Sequence, residues 1–240
     1  MSDPRSTASF WCAFVLGAYL GIAPDVQGGS ITFRSNNQWS VADSSNVPVG
    51  NAEYVALNAS MPVVQPPGAI QYGVFGAGWS ADLSTIPGAF WIWAPGITGD
   101  TPNASLAEYS FNQKFDLPGT PISGSISVAV DDMAQVYVNG ILAGTTGSIT
   151  DIGVAFQAQS NLKSFDLTPF LVSGTNTIEV LAQNGPDSFG GVSDADYRQN
   201  TAGVVFGGSL TFQSVPEPSS IALLGLGCLG ILLYGRKRGK

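Results

Sequence analysis

Few side chains in this sequence are equipped for chemistry. Histidine is absent, which removes the commonest general base and the commonest zinc ligand together. Serines abound, but a Ser-based triad lacks its His, and no Lys stands near an obvious nucleophile. Three groups remain. The first is Asp131-Asp132, which closes the run "ISVAVDD". Neighbours on a strand point to opposite faces, so the two cannot act as a paired acid and base while the strand persists. They read as turn caps or, with a neighbouring carbonyl, as calcium ligands. The second is "NGPDSFGGVSDADYRQN" (184–200), which gathers Asp187, Asp194, Asp196 and Asn200 in a Gly-rich loop. Hard oxygen donors on a loop suit Ca²⁺, although the EF-hand spacing and its bidentate Glu are missing; a solvated loop is the other reading. The third is aromatic. Trp79, Trp91, Trp93 and Tyr197 could offer a platform to the apolar faces of sugar rings, with amides and carboxylates binding the hydroxyls. Trp91 and Trp93 share one face of a strand, which fits a stacking surface and equally fits a core.

The elements that must position these groups read as strands. "AEYSFNQKFDL" (107–117) alternates: Ala107, Tyr109, Phe111, Phe115 and Leu117 point one way, interrupted only by Gln113. Period-two alternation of this length is a half-buried strand. "ISGSISVAV" (122–130) alternates in the same way, its apolar residues separated by serines. In "QVYVNGILAG" Asn139-Gly140 lies between two apolar runs, a strong hairpin signal. Further strands are expected at Ser30 to Phe33, Phe90 to Trp93, Asn176 to Gln183, and Gly203 to Phe212 with a kink at Gly207-Gly208. No long helical periodicity appears between 29 and 214, and no repeat of fixed period is present. The expected fold is all-β, an antiparallel two-sheet sandwich of jelly-roll type.

Charge and cysteine are concentrated at the ends. Of nine Lys and Arg residues, Arg5 and the four residues Arg236, Lys237, Arg238 and Lys240 lie within five positions of a terminus. That leaves Arg34, Lys114, Lys163 and Arg198 in the body of a chain whose formal charge is −8. Such an acidic body repels phosphate, which argues against nucleic acid as a partner. Both cysteines, Cys12 and Cys228, sit in terminal apolar runs, so the body has neither a disulfide framework nor a thiol metal site. Residues 1–28 have the layout of a signal peptide: Arg5, then an uncharged stretch from Phe10 to Ala23, then small residues, with cleavage expected between Ala23 and Gly29. A buried first helix is the alternative. At the other end, Ile221 to Tyr234 carries no charge. As a helix it would run roughly 21 Å at ~1.5 Å per residue, a marginal span for a hydrocarbon core of about 30 Å. The basic cluster after it would stay cytoplasmic. "GLGCLG" (225–230) spells a dinucleotide fingerprint, but no strand precedes it, and small residues in a membrane-type helix explain it.

Two resemblances follow. Val215-Pro216-Glu217-Pro218, the apolar stretch and Arg236-Lys237-Arg238, in that order over 215–240, resemble the PEP-CTERM sorting signal. The resemblance implies export in a Gram-negative-type bacterium that makes exopolysaccharide. It also implies cleavage near the Pro-Glu-Pro by an exosortase, a membrane cysteine transpeptidase. "VAVDDMAQVYVNGILAG" followed by "FDLTPFLVSGTNTIEVLAQNG" is similar to the galactose-binding-domain-like jelly roll, including sugar-binding domains attached to glycoside hydrolases. That likeness covers about 107–212, rests on structural motifs (Asn139-Gly140 and Gly174-Thr175-Asn176) and speaks to fold more than activity.

The expected organisation is a signal peptide (1–28), a β-sandwich (29–214) and a sorting segment with a transmembrane helix (215–240). The expected function is that of an exported, non-catalytic protein, tethered as a precursor to the inner membrane and then sent to the cell surface or matrix. There it would contact exopolysaccharide or another glycan weakly. No cofactor is expected apart from the calcium reading above. The reading from a different class is an extracellular carbohydrate-active enzyme that uses two carboxylates about 5–10 Å apart in a deep cleft.

Overall fold

Short strands with one apolar face must bury that face against another layer, and two sheets packed face to face do so in the computed structural model of the chain. The structure describes residues 28–56, 69–71, 78–96, 106–186, 189, 201–214, 225–228 and 234. In chain order the strands are β1 (Gly28–Arg34), β2 (Ser40–Asp43), β3 (Pro48–Asn51), β4 (Glu53–Ala56), β5 (Ile70–Gln71), β6 (Ile92–Trp93), β7 (Glu108–Leu117), β8 (Gly119–Asp131), β9 (Met133–Val138), β10 (Ile141–Gly147), β11 (Lys163–Asp166), β12 (Gly174–Gln183) and β13 (Gly203–Ser214). One sheet runs β11-β8-β13-β6-β4-β5, with β1 also paired to β13; the other runs β10-β9-β12-β7-β2-β3. The ladders β10–β9, β9–β12, β12–β7, β7–β2, β2–β3, β11–β8, β13–β6 and β6–β4 are antiparallel, and the short β4–β5 pair is parallel. Gly29–Gln213 form one compact unit. The architecture is the antiparallel two-sheet sandwich of jelly-roll type that the alternation foretold.

Between the sheets lies an aromatic core. Trp39, wholly buried, meets Phe206 edge-on at 4.6 Å and 84°, an arrangement the ring quadrupoles favour. Phe33 and Phe115 pack beside them at 5.2 Å. From β7, Phe111, Phe115 and Leu117 turn inward as expected, and from β8 Ile126, Val128 and Val130 do so, while Ile122 stays exposed. The chain changes sheet twice in this region, at Pro118 between β7 and β8 and at Asp132 between β8 and β9.

Two features were not foreseen. Strands β2 to β4 are four residues each, too short for alternation to register. A nine-residue helix, α1 (Ile152–Ser160), covers part of β8. Its start is fixed locally: Asp151 caps it, accepting from Gly153 N (2.9 Å) and Val154 N (3.2 Å). Its periodicity is weak because Ile152, Val154 and Phe156 are exposed while Ala155, Ala158 and Gln159 are buried.

The Asn139-Gly140 turn is present, with φ of 53° and 77° and Ile141 paired to Val138. Positive φ at both positions is what a primed two-residue turn demands. Asn139 does more than turn. Its amide donates to Phe170 O (2.9 Å) and Asn176 Oδ1 (3.0 Å), and its Oδ1 accepts from Thr177 N (2.9 Å). Asn176, fully buried, in turn donates to Val172 O and Gly174 O at 2.7 and 2.9 Å. The two turns that the sequence showed separately are thus tied into one knot. Asn139→Gly, which relaxes the backbone but removes the side-chain bonds, should destabilise by about 1–3 kcal/mol. Gly140→Ala meets open space and should cost only about 1 kcal/mol, from its backbone angle. Urea midpoints of the two variants check the order.

Candidate functional site

The acid pair sits where the chain leaves one sheet for the other. β8 ends at Asp131 and β9 begins at Met133, so strand alternation stops at Asp132 and no longer separates the two side chains. The peptide bond joining them is cis. Both residues are buried, at 4% and 5% exposure, and both reach the same amide: Gln159 Nε2 of α1 donates to Asp131 Oδ1 (2.5 Å) and to Asp132 Oδ1 (3.4 Å). Asp131 Oδ2 accepts from Trp79 Nε1 (2.9 Å) and Thr201 Oγ1 (2.7 Å). Asp132 Oδ2 accepts from Gly185 N (2.7 Å). Gly185 is required there, because a Cβ would collide with that same carboxylate. The pair therefore gathers α1, the segment at Trp79, and the two ends, Gly185 and Thr201, of the acidic stretch 187–200.

Burial and the proximity of Asp132 push the Asp131 carboxyl well above its usual range, and it hydrogen-bonds Asp132 directly. Asp132 is also raised, by burial, with the bonds from Asp131, Gly185 and Gln159 pulling the other way. Burial and a neighbouring like charge both favour the protonated form of such a carboxyl. The expected separation of the two side chains applies only while a strand persists, and β8 ends at Asp131. The paired acids nevertheless turn inward to protein donors. Among the described residues no group of three or more His, Cys, Asp or Glu is placed to hold a metal ion. Asp187, Asp194 and Asp196, the other residues named for calcium, lie outside the described residues, as does Tyr197.

The aromatic platform is corrected as well. Trp79, Trp91 and Trp93 are 3%, 1% and 0% exposed. Trp79 stacks on Trp91 at 4.4 Å and 16°, and Trp93 meets Tyr109 edge-on at 5.6 Å. Rings packed on both faces by protein offer nothing to a sugar, so these three tryptophans are core. Sequence could not separate the two readings, because same-face placement is common to both.

The described surface has grooves that sequence reasoning did not find. Outside the first sheet, a trough of about 390 Å³ is lined by Thr32, Arg34, Thr85, Ser125, Ser127 and Ser209 among others. A second groove, about 480 Å³, runs between β10, α1 and β11 past Gln157, Asn161, Lys163 and Ser164. Outside the second sheet, a groove of about 320 Å³ carries Asp43, Glu108 and Glu179; Glu179 accepts from Ser110 Oγ at 2.6 Å. The alternating serines 123, 125 and 127 were the available signal for the trough, but only the pairing of distant strands completes it.

The pair's raised protonation has a sign. A carboxyl that holds its proton to higher pH when folded contributes stability fully present below the unfolded value, about 3.9, and lost as pH rises through the folded value. The protein should therefore melt at lower temperature as pH climbs from about 4 through the pair's raised folded value. Asp131→Asn keeps an acceptor for Trp79 and Thr201 and removes the repulsion, so its melting temperature should depend less on pH. Asp131→Ala strands buried donors and should cost about 2–4 kcal/mol at every pH. Thermal melts of the three proteins across pH check both.

Comparison with known proteins bears on the fold and the tail. No curated protein matches the sequence. Among solved structures, an α-L-rhamnosidase from Streptomyces avermitilis is similar at 20% identity and TM-score 0.35, over 54% of this chain and 12% of that one. A β-glucuronidase from Ruminococcus gnavus is similar at 13% identity and TM-score 0.30, over 68% and 22%. A family 35 carbohydrate binding module from an environmental isolate is similar at 16% identity and TM-score 0.28, over 54% and 82%. The chain thus spans less than a quarter of either glycosidase, and the sandwich assignment stands on its own sheets. Among the described residues no helix is long and apolar enough to cross a membrane; of the expected span, 225–228 and Tyr234 are described, and they are helical. The triplet and the basic cluster lie outside the described residues. Residues 214–238 match the family model of the PEP-CTERM protein-sorting motif, and the chain is an exported protein that carries this signal in its C-terminal segment.

Proposed function

We propose that this chain is delivered by its tail to the cell surface or extracellular matrix and serves there as a non-catalytic component that contacts carbohydrate weakly. The observation that carries the proposal is the sorting motif over 214–238. A bulky β-sandwich attached to such a signal is cargo for the outside of the cell. The non-catalytic reading is supported by the fate of the paired acids, whose oxygens are committed to Trp79, Thr201, Gln159 and Gly185. Shallow grooves rich in hydroxyls suit weak contact with a hydrated polymer. The enzyme reading would fall to the groove holding Asp43, Glu108 and Glu179, and would be favoured by release of new reducing ends from a polysaccharide incubated with the protein.

In this reading an exosortase recognises Pro216-Glu217-Pro218 while the apolar stretch holds it at the membrane face. Proline fixes φ and resists helix, so the triplet stays extended next to the span. Replacing the triplet with alanines lets a helix run on and removes the recognised shape. The alanine variant should accumulate uncleaved in the inner membrane of the native host, while the unaltered protein is released from it. Fractionation with intact-mass measurement reads the result. Equal release of both proteins would overturn the sorting role of the triplet.

A further inference from the structure

The strand ladders bring three exposed aliphatic side chains to one end of the sandwich. β7 ends at Leu117, opposite Gly174 at the start of β12. β9 ends at Val138, opposite Ile178 of β12 and Ile141 of β10. One end therefore holds the turn from β7 into β8, the Asn139-Gly140 hairpin and the approach to β12. Asn139 ties the last two together through Phe170 O and Asn176. Gly124 N donates to Thr168 Oγ1 at 3.0 Å, which fastens the first part of β8 to the same approach. Each segment shows one large apolar residue to solvent: Ile122 is 55% exposed, Ile141 55% and Val172 50%. Residues 117–123, 138–142 and 167–174 carry no charge. Asp116, opposite Thr175, and Asp166, opposite Ser125, flank this end from the outer faces of the two sheets.

The chain leaves the sandwich for its sorting segment at this same end. Ser123 Oγ and Thr211 Oγ1 bond at 2.6 Å, a Cβ at Gly124 would meet Leu210, and one at Gly208 would meet Ile126. β13 thus runs antiparallel to β8, and its last residues lie beside the first residues of β8. Ile221, where the uncharged stretch of the segment begins, is seven residues beyond Ser214. Seven residues fully extended span at most about 25 Å. β13 itself has 12 residues, about 40 Å at ~3.3 Å per residue. A chain held in a bilayer through this stretch keeps the Ile122 end near the lipid and cannot turn the opposite end face-down. So short a tether makes lipid contact an intramolecular event at high effective concentration, for which a few aliphatic groups suffice. No charged group of the three segments has to be desolvated on contact.

We infer that Ile122, Ile141 and Val172 form a lipid-facing end, which rests on the bilayer surface while the sorting segment holds the chain and leaves it once the tether is cut. The inference rests on the reading that the segment inserts into the membrane. The test uses the full-length protein in nanodiscs of phosphatidylethanolamine and phosphatidylglycerol, with nitroxide on a fraction of the headgroups and methyl-labelled Ile and Val. The methyl signals of Ile122, Ile141 and Val172 should be lost to the nitroxide. That of Val47 should be retained, since it is 54% exposed but bonded to Asp43, opposite Tyr109 near the far end of β7. A tether alone also brings the end close, so a second arm separates proximity from contact. Ile122→Ser and Ile141→Ser together remove two of the three contacts, and the Val172 signal should then return. The buried Ile92 and Ile178 report the fold in both proteins. Val172 still lost in the double variant, Val47 lost equally, or all four signals retained in the unaltered protein would each overturn the lipid-facing end while leaving insertion of the segment standing. Failure of the protein to co-elute with the discs would overturn both.

Discussion

Two buried carboxyls, both pushed above their usual range by burial, sit at the joint of this sandwich. Asp131 ends a strand of one sheet and Asp132 precedes a strand of the other, so the pair lies where the chain crosses between layers. Burying even one carboxylate without partners is costly enough that the group neutralises instead. Here the surroundings supply donors from four directions: an indole, a hydroxyl, a side-chain amide and a backbone N–H. Each donor belongs to a different segment, so satisfying the pair also fixes Trp79, α1 and both ends of the acidic stretch. Trp79 then stacks on Trp91, which carries the constraint into the aromatic core.

This use of the acids shapes the functional reading. Groups that hold the fold together from the inside are unavailable to a ligand, and the indoles beside them are consumed by the core. What the described surface offers is a set of grooves with different linings. The trough outside the first sheet carries hydroxyls with Arg34, the groove between β10, α1 and β11 carries Lys163, and the groove outside the second sheet carries Asp43, Glu108 and Glu179.

A second knot does at the other end of β9 what the acid pair does at its beginning. Asn139 and Asn176 share a hydrogen bond and between them satisfy backbone groups of the 3-10 turn Thr168–Phe170, of Val172 and of the start of β12. Both nodes are polar, with Asp131, Asp132 and Asn176 buried and Asn139 exposed, and both join segments far apart in sequence. Apolar burial brings the sheets together, and these polar nodes select the register and the corners, because a misplaced partner would leave a buried donor or acceptor unmet.

The sequence by itself determined whatever depends on near neighbours. Alternation in 107–117 and 122–130 placed β7 and β8, Asn139-Gly140 placed the hairpin, and the absence of histidine and body cysteine closed off whole classes of chemistry. The tail was legible because a sorting signal is read as a linear string. Tertiary structure decided the rest. Whether Trp91 and Trp93 face solvent or core depends on what lies over their strand, and the covering layer comes from distant residues. That Asp131 and Asp132 converge depends on a strand ending between them. The trough required Arg34, Ser125 and Ser209 to be brought side by side by β1, β8 and β13, which lie far apart in the chain. Local periodicity carries the direction of a side chain relative to its own strand, but not the identity of the strand beside it.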